Sequence, residues 1–235
     1  DQNTISILNN TSFGNGGGIY IHQSSGLNLS NLYISGNEAY QAGGGLYFLD
    51  TFNVNITNSL IHNNHILSSS GSAIYYNGAN VSGQISFDTV ALKLNQVTIT
   101  ENDADGAWGG QESSIYLNCG NLGLINSIFW NNNDPIFLTG DWEYESSLLL
   151  SAYSLIENGT DNIVLDSDVH EIIWLDGNID TNPQFNNDFT LQEDSPCVDA
   201  GTAYFEYDEY ILNIPENEYF GDAPDMGAYE LFIYQ

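Results

Sequence analysis

Short apolar stretches alternate with asparagine and glycine along this chain, and the alternation repeats. An Asn precedes a short apolar strand and a second Asn follows it. A Gly- or Ser-rich turn then leads into a strand of apolar–aromatic–apolar type. Clear copies are Asn31-Leu-Tyr-Ile34-Ser-Gly-Asn37 with Gly43-Gly-Gly-Leu46-Tyr47-Phe48, and Asn58-Ser-Leu-Ile61-His-Asn-Asn64 with Ala73-Ile74-Tyr75-Tyr76. Later copies run Gln96 to Asn102 with Ile115-Tyr116-Leu117, and Asn126 to Asn132 with Ile136-Phe137-Leu138. Asn10 to Asn15 leads into Ile19-Tyr20-Ile21, and Tyr153 to Asn158 into Ile163-Val164-Leu165. Between copies lies a third strand with strict alternation, as in Leu27-Asn-Leu29, Val54-Asn-Ile56, Leu92-Lys-Leu94, Leu122-Gly-Leu124 and Leu148-Leu-Leu150.

Three short strands per unit, with no long stretch of 3.6-residue periodicity, predict one rung of a stacked coil. The fold expected is all-β: a right-handed parallel β-helix, three-sided, of about six coils. Residues 1–175 make the coils, and 176–235 a C-terminal capping segment packed on them within one structural domain. The spacing between the apolar–aromatic–apolar strands is 27 residues, then 28, then 41, then 21. Two insertions, residues 77–91 and 103–112, cause the stretching, and on a solenoid such insertions become loops on one face. Stacked coils share an interior of Ile, Leu, Val and Phe. The repeated Asn residues suit turns with left-handed backbone and can form an amide ladder, and the Gly triplets supply positive φ.

Charge is the extreme feature: 31 Asp and Glu against one basic residue, Lys93, for a formal net charge of −30. Such a surface repels nucleic acid, anionic lipid and acidic polysaccharide. It is tolerable at high salt, where the Debye length falls to about 3 Å near 1 M, or with bound calcium. No apolar run approaches the ~20 residues of a membrane span, and no basic-then-apolar leader is present. An extracellular or cell-surface location in a bacterial, saline setting is expected, with no nucleic-acid partner and no membrane insertion. Cys119 and Cys197 are the only cysteines; they are either one disulfide tying the coils to the C-terminal segment or two buried thiols.

The Gly-Gly-Gly-Ile-Tyr and Ile-x-x-Asn units resemble repeats of the pectate-lyase-like superfamily and of polymorphic outer-membrane proteins. Further on, Asn182-Pro183-Gln-Phe185, Asp188-Phe189-Thr-Leu191, Ser195-Pro196-Cys197-Val-Asp199-Ala200-Gly201 and Asp225-Met226-Gly227-Ala228-Tyr229-Glu230 resemble the end of choice-of-anchor Q surface proteins. That resemblance spans essentially the whole chain. It implies a secreted or surface-attached β-helix and no single activity. The sequence departs from the family by opening at Asp1 almost inside a coil and by ending without a sorting segment. An open first coil is expected to invite head-to-tail self-association.

Lyases of this shape need a Lys or Arg base. Lys93, flanked by Leu92 and Leu94, is the lone candidate and reads as a solvated lysine, so lyase activity is not expected. Paired carboxylates for hydrolysis are offered by Asp88, Glu101, Asp103 and Asp105, in a chain where acidic neighbours arise by chance. Glu101, Asp103 and Asp105 on one loop are also candidate calcium ligands, against a merely solvated acidic loop. Asp166 with Asp168 and Asp222 with Asp225 are further pairs.

Tyr20, Tyr47, Tyr75, Tyr116 and Phe137 form an outward row, read either as a sugar- or partner-binding face or as a ladder that stabilises its own sheet. His22, His62, His65 and His170 lack metal spacing and read as turn residues. Sequons stand at Asn9, Asn10, Asn28, Asn55, Asn80 and Asn158. The leading functional expectation is a structural or adhesive element able to form fibres. The alternative is a carbohydrate-active module for a neutral polysaccharide.

Overall fold

A computed structural model describes residues 4–78, 91–104, 110–140 and 146–232. They form an all-β parallel solenoid of about five turns. Among them the only helical piece is a 3-10 turn, Gly159–Asn162.

Register follows the sequence repeat. The strands Ile19–His22, Leu46–Leu49, Ile74–Asn77, Ile115–Asn118, Ile136–Thr139 and Ile163–Leu165 stack in parallel as one sheet. In it Ile19, Leu46, Ile74, Ile115, Ile136 and Ile163 stand in register. Six strands in a stack bound five full turns, which reconciles the repeat count with the observed number. A second, ten-stranded sheet collects the remaining long strands, and a small third sheet joins Thr11–Ser12, Glu38–Ala39 and His65–Ile66. Two strands that the sequence splits are continuous here, Phe52–His62 and Ala91–Thr100.

Left-handed residues stack in columns at the bends of the chain, between strands or, at Asn58 and Gln96, within them. One column is Asn31, Asn58, Gln96, Asn126 and Tyr153, with φ between 47° and 54°. Another runs through Asn9, Gly36, Asn63, Glu101, Asn131 and Asn158. Asn and Gly fill most of these positions because the left-handed region costs other L-residues about 1–2 kcal/mol.

In the Gly triplets only the first residue needs positive φ: Gly16 has φ +67° and Gly43 +70°. The second and third are required for a different reason. A Cβ on Gly17 would lie 2.4 Å from the Gly44 carbonyl oxygen, and one on Gly18 2.6 Å from that of Gly45. The triplets thus supply positive φ at their first residue, as expected, and close approach between rungs at the other two.

The interior is a single apolar column. Ile34, Ile61, Ile99, Phe129 and Ile156 stack in register from one side and are buried. Leu46, Ile74, Ile115 and Ile136 meet them from the other. Each fully buried Leu or Ile contributes roughly 1.5–3 kcal/mol. Along one corner runs an amide ladder, Asn10–Asn37–Asn64–Asn102–Asn132, buried at Asn37, Asn64 and Asn102, each link near 3.0 Å.

Past the last coil strand, Ile179 still bridges Leu155 in parallel, and Asn178 Oδ1 accepts the Ser154 backbone N–H. The chain then doubles back and lies along the side of the ten-stranded sheet. It includes one antiparallel hairpin, Tyr204–Tyr207 with Tyr210–Asn213.

Candidate functional site

Two outward surfaces stand out, one aromatic and one rich in amides. In the six-stranded sheet Ile19 and Ile21 pack against the core, so the residue between them points outward. The rings of Tyr20, Tyr47, Tyr75, Tyr116 and Phe137 form one unbroken stack. Successive centroids are 5.0, 4.7, 4.9 and 5.6 Å apart, with interplanar angles of 6–11°. All five residues of the expected row therefore come together. Their arrangement alters what they can do, because a sugar stacks on the flat face of a ring and these faces are taken up by neighbouring rings. Tyr47 and Phe137 are buried, and burial pushes the Tyr47 hydroxyl up to about 12. Tyr20 is the exception: it is 48% exposed, and among the described residues no ring stacks on its other face.

The second surface belongs to the outer face of the ten-stranded sheet. One register row reads Asn28, Asn55, Lys93, Gly123, Leu150, Ile173, and its neighbour reads Ser30, Thr57, Asn95, Ile125, Ala152. Both rows are polar in the early turns and apolar in the later ones. The C-terminal hairpin covers the apolar half, packing Phe205 and Tyr210 on Ile125, Leu150 and Ala152. Gly123 makes the seat, since a Cβ there would lie 2.2 Å from the Tyr210 ring.

Tyr210 is fully buried and donates its hydroxyl to Asn95 Oδ1 at 2.5 Å. The Lys93 ammonium sits 5.0 Å from the centre of the Tyr210 ring, a cation–π contact. Lys93 is thus packed against the C-terminal segment, which corrects the solvated-lysine expectation. Asn95 Nδ2 donates to Asn55 Oδ1 at 2.7 Å, and Asn55 Nδ2 to Asn28 Oδ1 at 3.5 Å. Between this amide row and the hairpin lies a groove of about 380 Å³. A second groove, of about 480 Å³, is lined by Tyr153, Trp174 and Tyr204 with Asp176 and Glu206.

The C-terminal motifs act as a clasp. Asn126 Nδ2 donates to the Thr202 carbonyl while its Oδ1 accepts the Thr202 N–H, both at 2.8 Å. The Ala228 N–H donates to Thr98 Oγ1, and Gln96 Nε2 to Glu230 Oε1. Asp225 accepts the N–H groups of Asp199 and Leu231, and Asp199 those of Asp222 and Ala223. Burial raises the carboxyl of Asp225, and burial with the adjacent Asp225 charge raises Glu230 to about 7. Of the Asp222 and Asp225 pair, the Asp225 carboxylate is thereby committed to backbone hydrogen bonds, while Asp222 gives its backbone N–H to Asp199.

The remaining candidates are dispersed. Glu101 occupies a left-handed turn position, and Asp103 forms a bridge with His65 through its backbone. Asp105 and Asp88 lie outside the described residues. No group of three His, Cys, Asp or Glu side chains suited to a metal occurs among the described residues. Asp166 is held by His170 Nε2 at 2.6 Å and by the Thr139 hydroxyl.

Three of the four histidines sit on strands rather than in turns. His62 closes the strand Phe52–His62, contacting the Tyr33 hydroxyl at 2.9 Å and the Phe189 ring. His22 ends one strand and His65 begins another. Cys119 and Cys197 are both buried thiols, and no disulfide joins them. Cys119 Sγ donates to Asn118 Oδ1 at a turn, whereas Cys197 packs with Ile128, Leu155 and Met226.

The sequence reading missed the amide row. Its signal was the Asn at the outward position of Leu27-Asn-Leu29 and Val54-Asn-Ile56, and of Asn95 after Leu94. Comparison with protein-family models, curated proteins and solved structures finds no match to this chain.

Proposed function

We propose that the protein is a structural or adhesive element outside the cell or on its surface, a solenoid rod whose first turn receives a further coil. In its fibre-forming state that coil is the last turn of a second copy. In this reading the solenoid is the right-handed, three-sided type of the choice-of-anchor Q surface proteins that its repeats and C-terminal motifs resemble.

One observation carries the reading. The first turn has the side chains of an interior rung but is covered on one side only among the described residues. The strands Ile5–Leu8, Ile19–His22 and Ser25–Ser30 each pair with a single neighbour, and Ile5, Leu8 and Tyr20 are exposed. Ile163-Val164-Leu165 at the other end has the same apolar–x–apolar pattern that Leu46, Tyr47 and Phe48 offer to Ile19, Tyr20 and Ile21. Unpaired strand edges of this kind accept added strands.

Negative-stain microscopy tests the reading, at high protein concentration and about 1 M salt to screen the −30 charge. Rods longer than one solenoid are expected, and Tyr20→Asp is expected to abolish them. Single particles only, in the unsubstituted protein, would overturn it.

A second reading, recognition of a neutral polysaccharide, is favoured by the amide-lined groove rather than by the self-stacked aromatic row.

A further inference from the structure

We propose that the uncovered, amide-lined half of the ten-stranded sheet is a binding site for an uncharged, hydroxyl-rich carbohydrate chain. The proposal rests on the second reading above and assigns it a place.

The two outward rows change character along the solenoid. Where they are apolar, the hairpin covers them; the cover ends with Tyr210 over the buried Asn95, and where the rows become Asn28, Asn55 and Thr57 a groove remains. An amide carries two N–H donors and a carbonyl with two lone pairs. The bonds along the row use part of this capacity: one donor each from Asn95 and Asn55, and one lone pair on each of the three carbonyls. What remains is a series of paired donors and acceptors on successive rungs about 4.8 Å apart. Vicinal sugar hydroxyls, each both donor and acceptor, are the complement of such a series.

Asn58 also lines the groove, and its buried Oδ1 has no hydrogen-bond partner. A buried acceptor in that state costs about 1–3 kcal/mol until a donor reaches it, and a hydroxyl is such a donor. Charge selects an uncharged ligand. Among the described residues that line the groove, the charged ones are Lys93 and Glu218, of opposite sign, while the molecule at −30 repels polyanions. Ile211, 61% exposed at the rim, gives the apolar face of a sugar ring a surface to lie against.

The test uses the chain made in a bacterial host that adds no N-glycans, because Asn28 and Asn55 both stand in sequons. Affinity electrophoresis is run in gels containing xyloglucan, galactomannan, mixed-linkage glucan or dextran, with polygalacturonate and alginate as anionic controls. Retardation by at least one neutral polymer and by neither polyanion is expected. The double variant Asn28→Ala/Asn55→Ala is expected to weaken that binding at least tenfold while its far-ultraviolet dichroism stays that of the folded solenoid, and Tyr20→Ala to leave it intact. Absence of binding to every neutral polymer overturns both the site and the carbohydrate reading. Binding that survives Asn28→Ala/Asn55→Ala but is lost in Tyr20→Ala overturns the site alone and returns the carbohydrate reading to the aromatic face.

Discussion

Asn64 Oδ1 accepts two hydrogen bonds from Asn37, one from its backbone N–H at 3.1 Å and one from its side-chain Nδ2 at 3.0 Å. Asn64 in turn gives the same pair to Asn102 and donates Nδ2 to the carbonyls of Ile34 and His62. From Asn37 to Asn102 each rung of the corner is therefore fastened to the next through a buried amide. Asn64→Ala orphans several buried groups at about 1–3 kcal/mol each, so a loss of at least ~3 kcal/mol is expected in urea unfolding. Asn55→Ala leaves a single buried donor, Asn95 Nδ2, without its acceptor, so a smaller loss of about 1–3 kcal/mol is expected.

Glu101 has φ 56° in a column otherwise filled by Asn and Gly. Replacing it with Asn removes a left-handed penalty of order 1 kcal/mol without touching the core. Glu101→Asn is expected to raise the urea midpoint with an unchanged slope.

Register was legible in the sequence because the same side chains that mark the repeat also fill the core. Ile19, Leu46, Ile74, Ile115, Ile136 and Ile163 align by pattern and stack in that order in the fold, even across spacings of 41 and 21 residues. The aromatic row was equally legible, but not that its rings lie face to face, since pattern gives the side of a strand and not the tilt of a ring. The amide row stayed hidden for another reason. Asn28 and Asn55 become a groove wall only because the hairpin, more than a hundred residues later in the chain, ends over Lys93 and Asn95 and leaves them uncovered. No local signal links Gly123 to Tyr210.

That link predicts a steric test. Gly123→Ala places a methyl group within 2.2 Å of a fully buried ring, and overpacking of this kind costs about 1–3 kcal/mol. The hairpin Tyr204–Asn213 is expected to lift, seen as faster proteolysis within it while the solenoid's far-ultraviolet dichroism persists.

Glu230 gives a pH dependence of definite sign. Its carboxyl is raised from 4.5 to about 7 by burial and by Asp225, so the folded state binds the proton more tightly than the unfolded one. Its contribution to stability is fully present below about pH 4.5 and is lost as pH rises through 7. Glu230→Gln keeps the acceptor for Asp225 N–H and Gln96 Nε2 and cannot ionise. The difference in melting temperature, variant minus unsubstituted protein, is expected to grow more positive from pH 5 to pH 8.

Cys197 is buried among Ile128, Leu155 and Met226, and burial pushes its thiol up to about 12. A thiolate is the reactive species. Neither Cys197 nor the buried Cys119 is expected to be alkylated in the native protein at pH 8, and both are expected to react in urea.

In the proposed reading the first turn, covered on one side only among the described residues, is where a further coil adds. Sedimentation velocity across a hundredfold range of concentration in about 1 M salt measures this directly. A weight-average mass that climbs with concentration, and falls back to a single chain in Tyr20→Asp, is the predicted result. A single-chain mass at every concentration, in both proteins, would contradict it.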